Sequence, residues 1–176
     1  MLFFAICLAG AIIVSALQLR FFKRQRRVSS LKWDDLVARI QRLDSKGLRE
    51  IADCYLHPTK DQLRIQPVVM WQVVGGLAGV QKLLANADAM LDLAMYAERW
   101  NDANGRVLSE IMRRDALRVR HSVRQIELAM LTQRGMVYMG MELQEAVSSY
   151  CLLRARLLGM YAECHAGLLP RLEAAV

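Results

Sequence analysis

Strand-like alternation is almost missing from this 176-residue chain, and so are the punctuation marks of loop-rich folds. Only three prolines occur (Pro58, Pro67 and Pro170), and ten scattered glycines make no low-complexity tract or long linker. Apolar residues recur at spacings of three and four, which predicts an all-α chain. Four cysteines (Cys7, Cys54, Cys151 and Cys164) follow no metal or disulfide spacing and read as free thiols, buried or partly so. The three histidines, His57, His121 and His165, are far apart in sequence. Cys164 and His165 are adjacent, so on a helix their side chains diverge by about 100° and cannot share an ion unaided. Glu142 and Glu145 lack the histidine that a di-iron bundle needs in Glu-x-x-His pairs. No glycine loop comes after a strand to cradle a phosphate. No nucleophile, general acid or base, metal set, cofactor site or small-molecule substrate emerges, and a non-catalytic role is expected.

Acidic residues are also absent before Trp33, and this absence carries the most information. The run Leu2 to Leu19 has no charge at all, and Arg20, Lys23, Arg24, Arg26 and Arg27 come directly after it. Eighteen helical residues rise about 27 Å, close to the roughly 30 Å hydrocarbon core of a bilayer. A signal peptide is the rival reading, with Val14-Ser15-Ala16 as a cleavage site. Such a peptide carries its positive charge before the apolar stretch, whereas here the cations come after it. Cations resist translocation, so the expected arrangement is a single-pass anchor with its N-terminus outside and the remainder cytoplasmic. The collar would also lie against anionic head groups, each cation contributing roughly 1 kcal/mol.

The net charge of +7 suggests a nucleic-acid partner until it is divided by position. From Trp33 onward, eighteen Lys and Arg face seventeen Asp and Glu, so the remainder is almost neutral. The expected organisation is an anchor at 1–19, a basic juxtamembrane segment at 20–30, a helical bundle at 31–170 and a tail at 171–176.

Within the bundle, Ser29 and Ser30 can cap a helix carrying Trp33, Leu36, Val37, Ile40 and Leu43 on one face. Asp44-Ser45-Lys46-Gly47 interrupts it, and a shorter helix with Leu48, Ile51, Ala52, Tyr55 and Leu56 stops before Pro58. Thr59 and Gln62 make a capping box, and Pro67 starts or kinks the next segment. A long helix is expected from Val68 to Trp100, with Val73, Leu77, Val80, Leu84, Ala87, Leu91 and Ala94 as a heptad seam. Asn101 to Gly105 reads as a tight polar loop that forces antiparallel neighbours. Leu108, Met112, Val119, Ile126, Ala129 and Met136 form a second frame, weakened by Asp115, Ser122 and Gln133. Met139, Leu143, Ala146, Tyr150, Leu153, Leu157, Met160 and Cys164 form a third. The last two frames differ in phase, and Gly135 marks a turn or kink between them. Gly167 and Pro170 close the last helix. The predicted fold is therefore a bundle or hairpin of long, antiparallel, coiled-coil-like helices behind one transmembrane helix.

Four features bear on function. Gly75 and Gly79 have the GxxxG spacing that allows close helix packing, and the uncharged stretch around them suits a buried helix or an interfacial membrane segment. Arg106, Arg113, Arg120 and Arg124 form a possible stripe for an anionic partner, with Glu110 and Arg114 expected as an i,i+4 pair. Met130, Met136, Met139 and Met141 cluster near Tyr138, as core packing or as an adaptable surface for partner helices. Small residues in the anchor, Ala5 with Ala9 and Ala11 with Ser15, permit lateral pairing. The expected function is a membrane-tethered helical adaptor or assembly protein, self-associating or binding another helical protein. The alternatives are an accessory subunit of a larger membrane complex and a membrane-tethered nucleic-acid binder using the arginine row.

Overall fold

Seven α-helices and a 3-10 turn make up the described residues, and their order matches the local sequence signals closely. In this computed structural model, residues 31–56, 65–98, 104–132 and 135–176 are described. The expected anchor at 1–19, its basic collar, the Thr59 capping box, Gln133 and Arg134 lie outside them. Trp33 to Val176 forms one packed unit. Its helices are α1 (Trp33–Val37), α2 (Ser45–Leu56), α3 (Pro67–Val74), α4 (Gly76–Ala97), α5 (Asn104–Leu131), α6 (Met136–Cys164) and α7 (Leu169–Ala175).

Helix α4 is the centre. From Ala89 to Met95 every residue is buried, so this helix is wrapped on all sides rather than along one stripe. Helices α5 and α6 form an antiparallel hairpin beside it. Tyr138 donates to Gln125 at 3.2 Å near the turn, and further along Arg156 forms an ion pair with Asp115. The chain does turn back at Gly135, which precedes α6 in an extended conformation. The third frame lies inward over most of its length: Met139, Leu143, Ala146, Tyr150, Leu153, Leu157 and Met160 are buried, and Cys164 at its end is half-buried. In the second frame Met112, Val119, Ile126 and Ala129 are buried, but Met136 is exposed at the turn. Asp115 and Ser122, the polar members of that frame, are buried in it.

The first helix is shorter than its apolar face suggests, ending at Val37 rather than running to Leu43. Asn86 on α4 captures the chain beyond it. Its carbonyl accepts from the Gln41 backbone N–H at 2.7 Å, and its amide donates to the Gln41 carbonyl at 2.7 Å. A helix through Gln41 would need both backbone groups for its own ladder. Asp92, farther along α4, adds an ion pair to Arg39 at 3.5 Å. Asp44 then caps α2: one carboxylate oxygen accepts from the N–H groups of Lys46 and Gly47, each at 3.2 Å. The expected interruption at 44–47 is thus a helix start.

The single long helix expected from Val68 to Trp100 is two helices, α3 and α4, bent by 63°. Gly75 and Gly76 carry positive φ values of 86° and 65°, a conformation that side-chain-bearing residues resist and that no continuous helix contains. Pro67 opens α3 at its first turn, as expected. No single helix among the described residues is long and apolar enough to cross a membrane, although α3 and α4 taken together have the length and composition.

Pro170 does not end the fold either. It sits in the first turn of α7, where a missing N–H costs nothing. Residues 171–175, expected as part of a tail, are helical, with Leu172 fully buried. Arg171 explains the docking, pairing with Asp34 at 2.6 Å and lying 5.0 Å over the Trp33 ring. Trp33 in turn donates to the Tyr161 hydroxyl at 3.2 Å, and that hydroxyl donates to the Leu93 carbonyl at 3.1 Å.

Substitutions at two of these polar groups should be costly. Replacing Asn86 by Leu leaves the Gln41 backbone and the Tyr150 hydroxyl without their partner. It should lower stability by about 2–3 kcal/mol in urea unfolding, against under about 0.5 for exposed Gln81→Ala. Asp115→Ala strands a mostly buried guanidinium and should cost about 2–3 kcal/mol, whereas Asp115→Leu with Arg156→Met should recover most of the loss. An equal loss in the single and paired variants would show that the ion pair is not what holds the hairpin there.

Candidate docking surface

The described residues offer little for chemistry and much for contact. A groove of about 210 Å³ opens between α2 and α6, lined among others by Leu48, Arg49, Ala52, Tyr150, Cys151 and Arg154. Its one reactive group is Cys151, whose thiol approaches the Leu48 carbonyl at 3.8 Å. Burial outweighs the nearby Arg154 and pushes this thiol up to about 11, so it is protonated near neutrality and is a poor nucleophile. Burial also raises Tyr150, whose hydroxyl accepts from Asn86 at 3.3 Å. Among the described residues no three His, Cys, Asp or Glu side chains gather to hold a metal ion.

The arginine row divides when placed on α5. Arg113 pairs with Glu110 at 2.9 Å, one turn away at i,i+3, so the expected Glu110–Arg114 pair does not form. Arg120 reaches across to Asp88 of α4 at 2.6 Å and ties the two helices together. Arg106 and Arg124 are exposed. Arg114, Arg118 and Arg124 point to solvent and make no ion pair among the described residues. Arg113 and Arg120 of the expected stripe are thus engaged within the described chain, and Arg114 and Arg118 join Arg124 at the solvent face.

Gly75 and Gly79 are used within one chain segment. Gly75 closes α3, its N–H donating to the Gln72 carbonyl at 3.0 Å. Gly79 faces the Val74 carbonyl so closely that a Cβ would overlap it, and its N–H donates to Gly75 at 3.3 Å. The GxxxG spacing lets the bend fold back on itself.

A surface that the apolar periodicity did not disclose lies on the outside of α5. Val107, Glu110, Arg114, Leu117, His121, Arg124, Leu128 and Leu131 are all exposed, and they repeat in steps of three and four. This is a heptad ridge about 36 Å long that no part of the described chain covers. Val107 is 64% exposed and Leu131 81%, unusual values for large apolar residues on a long helix. The signal was present in the sequence but diluted, since four of the eight positions are polar.

At the α5–α6 turn the ridge meets a second, different surface. Met136, Val137 and Met141 are exposed there. Gly140 lets α3 come alongside, because a Cβ on it would lie 2.8 Å from the Pro67 ring. The exposed Val68 and Val69 of α3 accordingly sit at this same end. Of the methionine cluster, Met139 is core, while Met130, Met136 and Met141 are surface. No sequence family, curated protein or solved structure matches the chain, so these surfaces are read from their own chemistry.

The Cys151 shift has a measurable sign. Unfolding releases the thiol to an ordinary value near 9, so above that pH the unfolded chain binds fewer protons and stability should fall as pH rises towards 11. Peptide-resolved alkylation should show Cys151 reacting far more slowly than an exposed thiol at pH 7.5. Rapid modification at that pH would contradict the buried, protonated state.

Proposed function

We propose that the protein is a membrane-tethered helical adaptor whose docking element is the outward ridge of α5. The tether is the uncharged run 2–19 with its collar of Arg20, Lys23, Arg24, Arg26 and Arg27, which favours a single pass with the bundle on the cytoplasmic side. The observation that carries the adaptor role is the repeat of exposed Val107, Leu117, Leu128 and Leu131 at coiled-coil spacing. The buried frames of α4, α5 and α6 satisfy one another inside the chain, so they leave no seam for a partner. The α5 ridge is the helix–helix surface left over.

Its charge selects the partner. Arg114, Arg118 and Arg124 flank Leu117 and Leu128, and Glu110 near the start is the one exposed acid on the helix. Two copies meeting through this ridge would bring arginine against arginine, a repulsive pairing. An amphipathic helix with apolar residues at matching steps and acidic flanks is the complement.

A photoreactive side chain at Leu117, activated in intact membranes, should yield one discrete adduct with a foreign protein. Leu117→Glu with Leu128→Glu should reduce recovery of that protein at least about tenfold, equivalent to ~1.4 kcal/mol. The same pair should leave the urea midpoint almost unchanged, because both residues are exposed. Absence of any protein adduct, or partner recovery unaffected by the two glutamates, would refute the docking role of α5.

A further inference from the structure

The apolar end formed by the α5–α6 turn and the start of α3 differs from the α5 ridge in carrying fewer charges, with the half-buried Glu142 at its α6 margin. Residues 65–81 contain no ionisable side chain, and residues 128–141 contain one charged side chain, Arg134. From these two stretches, Leu131, Met136, Val137, Met141, Val68 and Val69 are exposed together. Val137 at 73% and Met141 at 67% are the extremes on α6. We propose that this end inserts into the surface of a lipid bilayer as a second membrane contact.

A lipid occupant fits better than a protein. Protein interfaces surround an apolar centre with a polar and charged rim, as the α5 ridge does with its arginines. Hydrocarbon, in contrast, excludes charge and needs no shape complementarity, so a convex tip of flexible methionines and valines meets its requirements. The surrounding side chains have the character of an interfacial belt. Trp71 and Tyr138 are half-buried near the tip, with apolar rings and polar edges, the residue types enriched where hydrocarbon meets head groups. A shallow contact of this kind reaches roughly 5–10 Å into the boundary and crosses nothing. That agrees with the 63° bend between α3 and α4, which prevents the pair from forming one straight span.

This inference goes beyond the adaptor reading, and the two surfaces share only Leu131, where the ridge meets the turn. The full-length chain in its native membrane is the sample for testing it. A benzophenone side chain at Val137 should form adducts with the mass of a phospholipid, and the same group at exposed Glu50 on α2 should form few or none. Val68→Glu with Met141→Glu should cut the lipid adducts at Val137 at least about fivefold while leaving the urea midpoint in place. A discrete protein adduct at Val137, including a second copy of this chain, would overturn the proposal. So would lipid labelling at Val137 no greater than at Glu50, or a chain that fractionates away from membranes altogether. Failure at Val137 with a protein adduct at Leu117 would leave the adaptor reading standing, and the reverse result would separate them the other way.

Discussion

A single buried carboxamide determines how this fold begins. Asn86 is 0% exposed on a helix whose buried side chains, apart from Asp92, are otherwise apolar. Such a group costs several kcal/mol unless its donors and acceptor are met. It finds partners in both backbone groups of Gln41 and in the Tyr150 hydroxyl. One side chain thereby joins the irregular segment after α1, the central helix α4 and the long helix α6. Because the acceptor and donor on Gln41 are backbone atoms, the clamp depends on chain path rather than on the side chain at 41. The segment is held straight across α4, Arg39 reaches Asp92, and Asp44 arrives where it can cap α2.

The opposite end of α6 is joined by a similar logic with aromatic groups. The Tyr161 hydroxyl accepts from Trp33 and donates to the Leu93 carbonyl, so α1, α4 and α6 converge on one buried oxygen. Arg171 covers the outer face of Trp33 and pairs with Asp34, which docks α7 on the same corner. Between Asn86 and Tyr161, the Asp115–Arg156 pair sets α5 against α6. Apolar heptads tolerate a slip of one repeat, whereas an ion pair between a buried carboxylate on one helix and a half-buried arginine on the other does not. Asp115, a polar residue that breaks the α5 frame, therefore favours one register of α5 against α6.

Much of this architecture was legible in the spacing of apolar residues. The frame from Met139 to Met160 is buried without exception, because a long helix against a core obeys its 3.6-residue period whatever its neighbours. The turn at Gly135 was legible for the same reason, since the frames on either side differ in phase. Contacts between distant positions were not. Nothing local to Ile40 or Leu43 reveals that Asn86 will take the backbone of Gln41 out of a helix. The bend at Gly75 and Gly76 hid inside an unbroken heptad pattern, because apolar spacing is indifferent to φ. Among the arginines, sequence showed the row but not its partners: Asp88, on another helix, takes Arg120. The exposed ridge of α5 is not evident in the sequence because half its positions are polar, which resembles an ordinary solvated face until burial shows that Leu117 and Leu128 stay about half exposed.

Charge then separates two exposed apolar surfaces that burial alone would merge. Along α5 the exposed Val107, Leu117 and Leu128 each have an arginine within about one helical turn, and the only fully exposed acid is Glu110. A bilayer could accept that face only by keeping every guanidinium at head-group depth along a helix about 36 Å long, whereas an acidic helix pairs with the cations in register. Past Leu128 no described residue before Glu142 is charged, and the exposed side chains become Leu131, Met136, Val137 and Met141, joined by Val68 and Val69 across Gly140. An acidic partner would find no cation there among the described residues. The change in chemistry falls at the α5–α6 turn, so one hairpin presents a surface suited to a protein along its side and a surface suited to a membrane at its end.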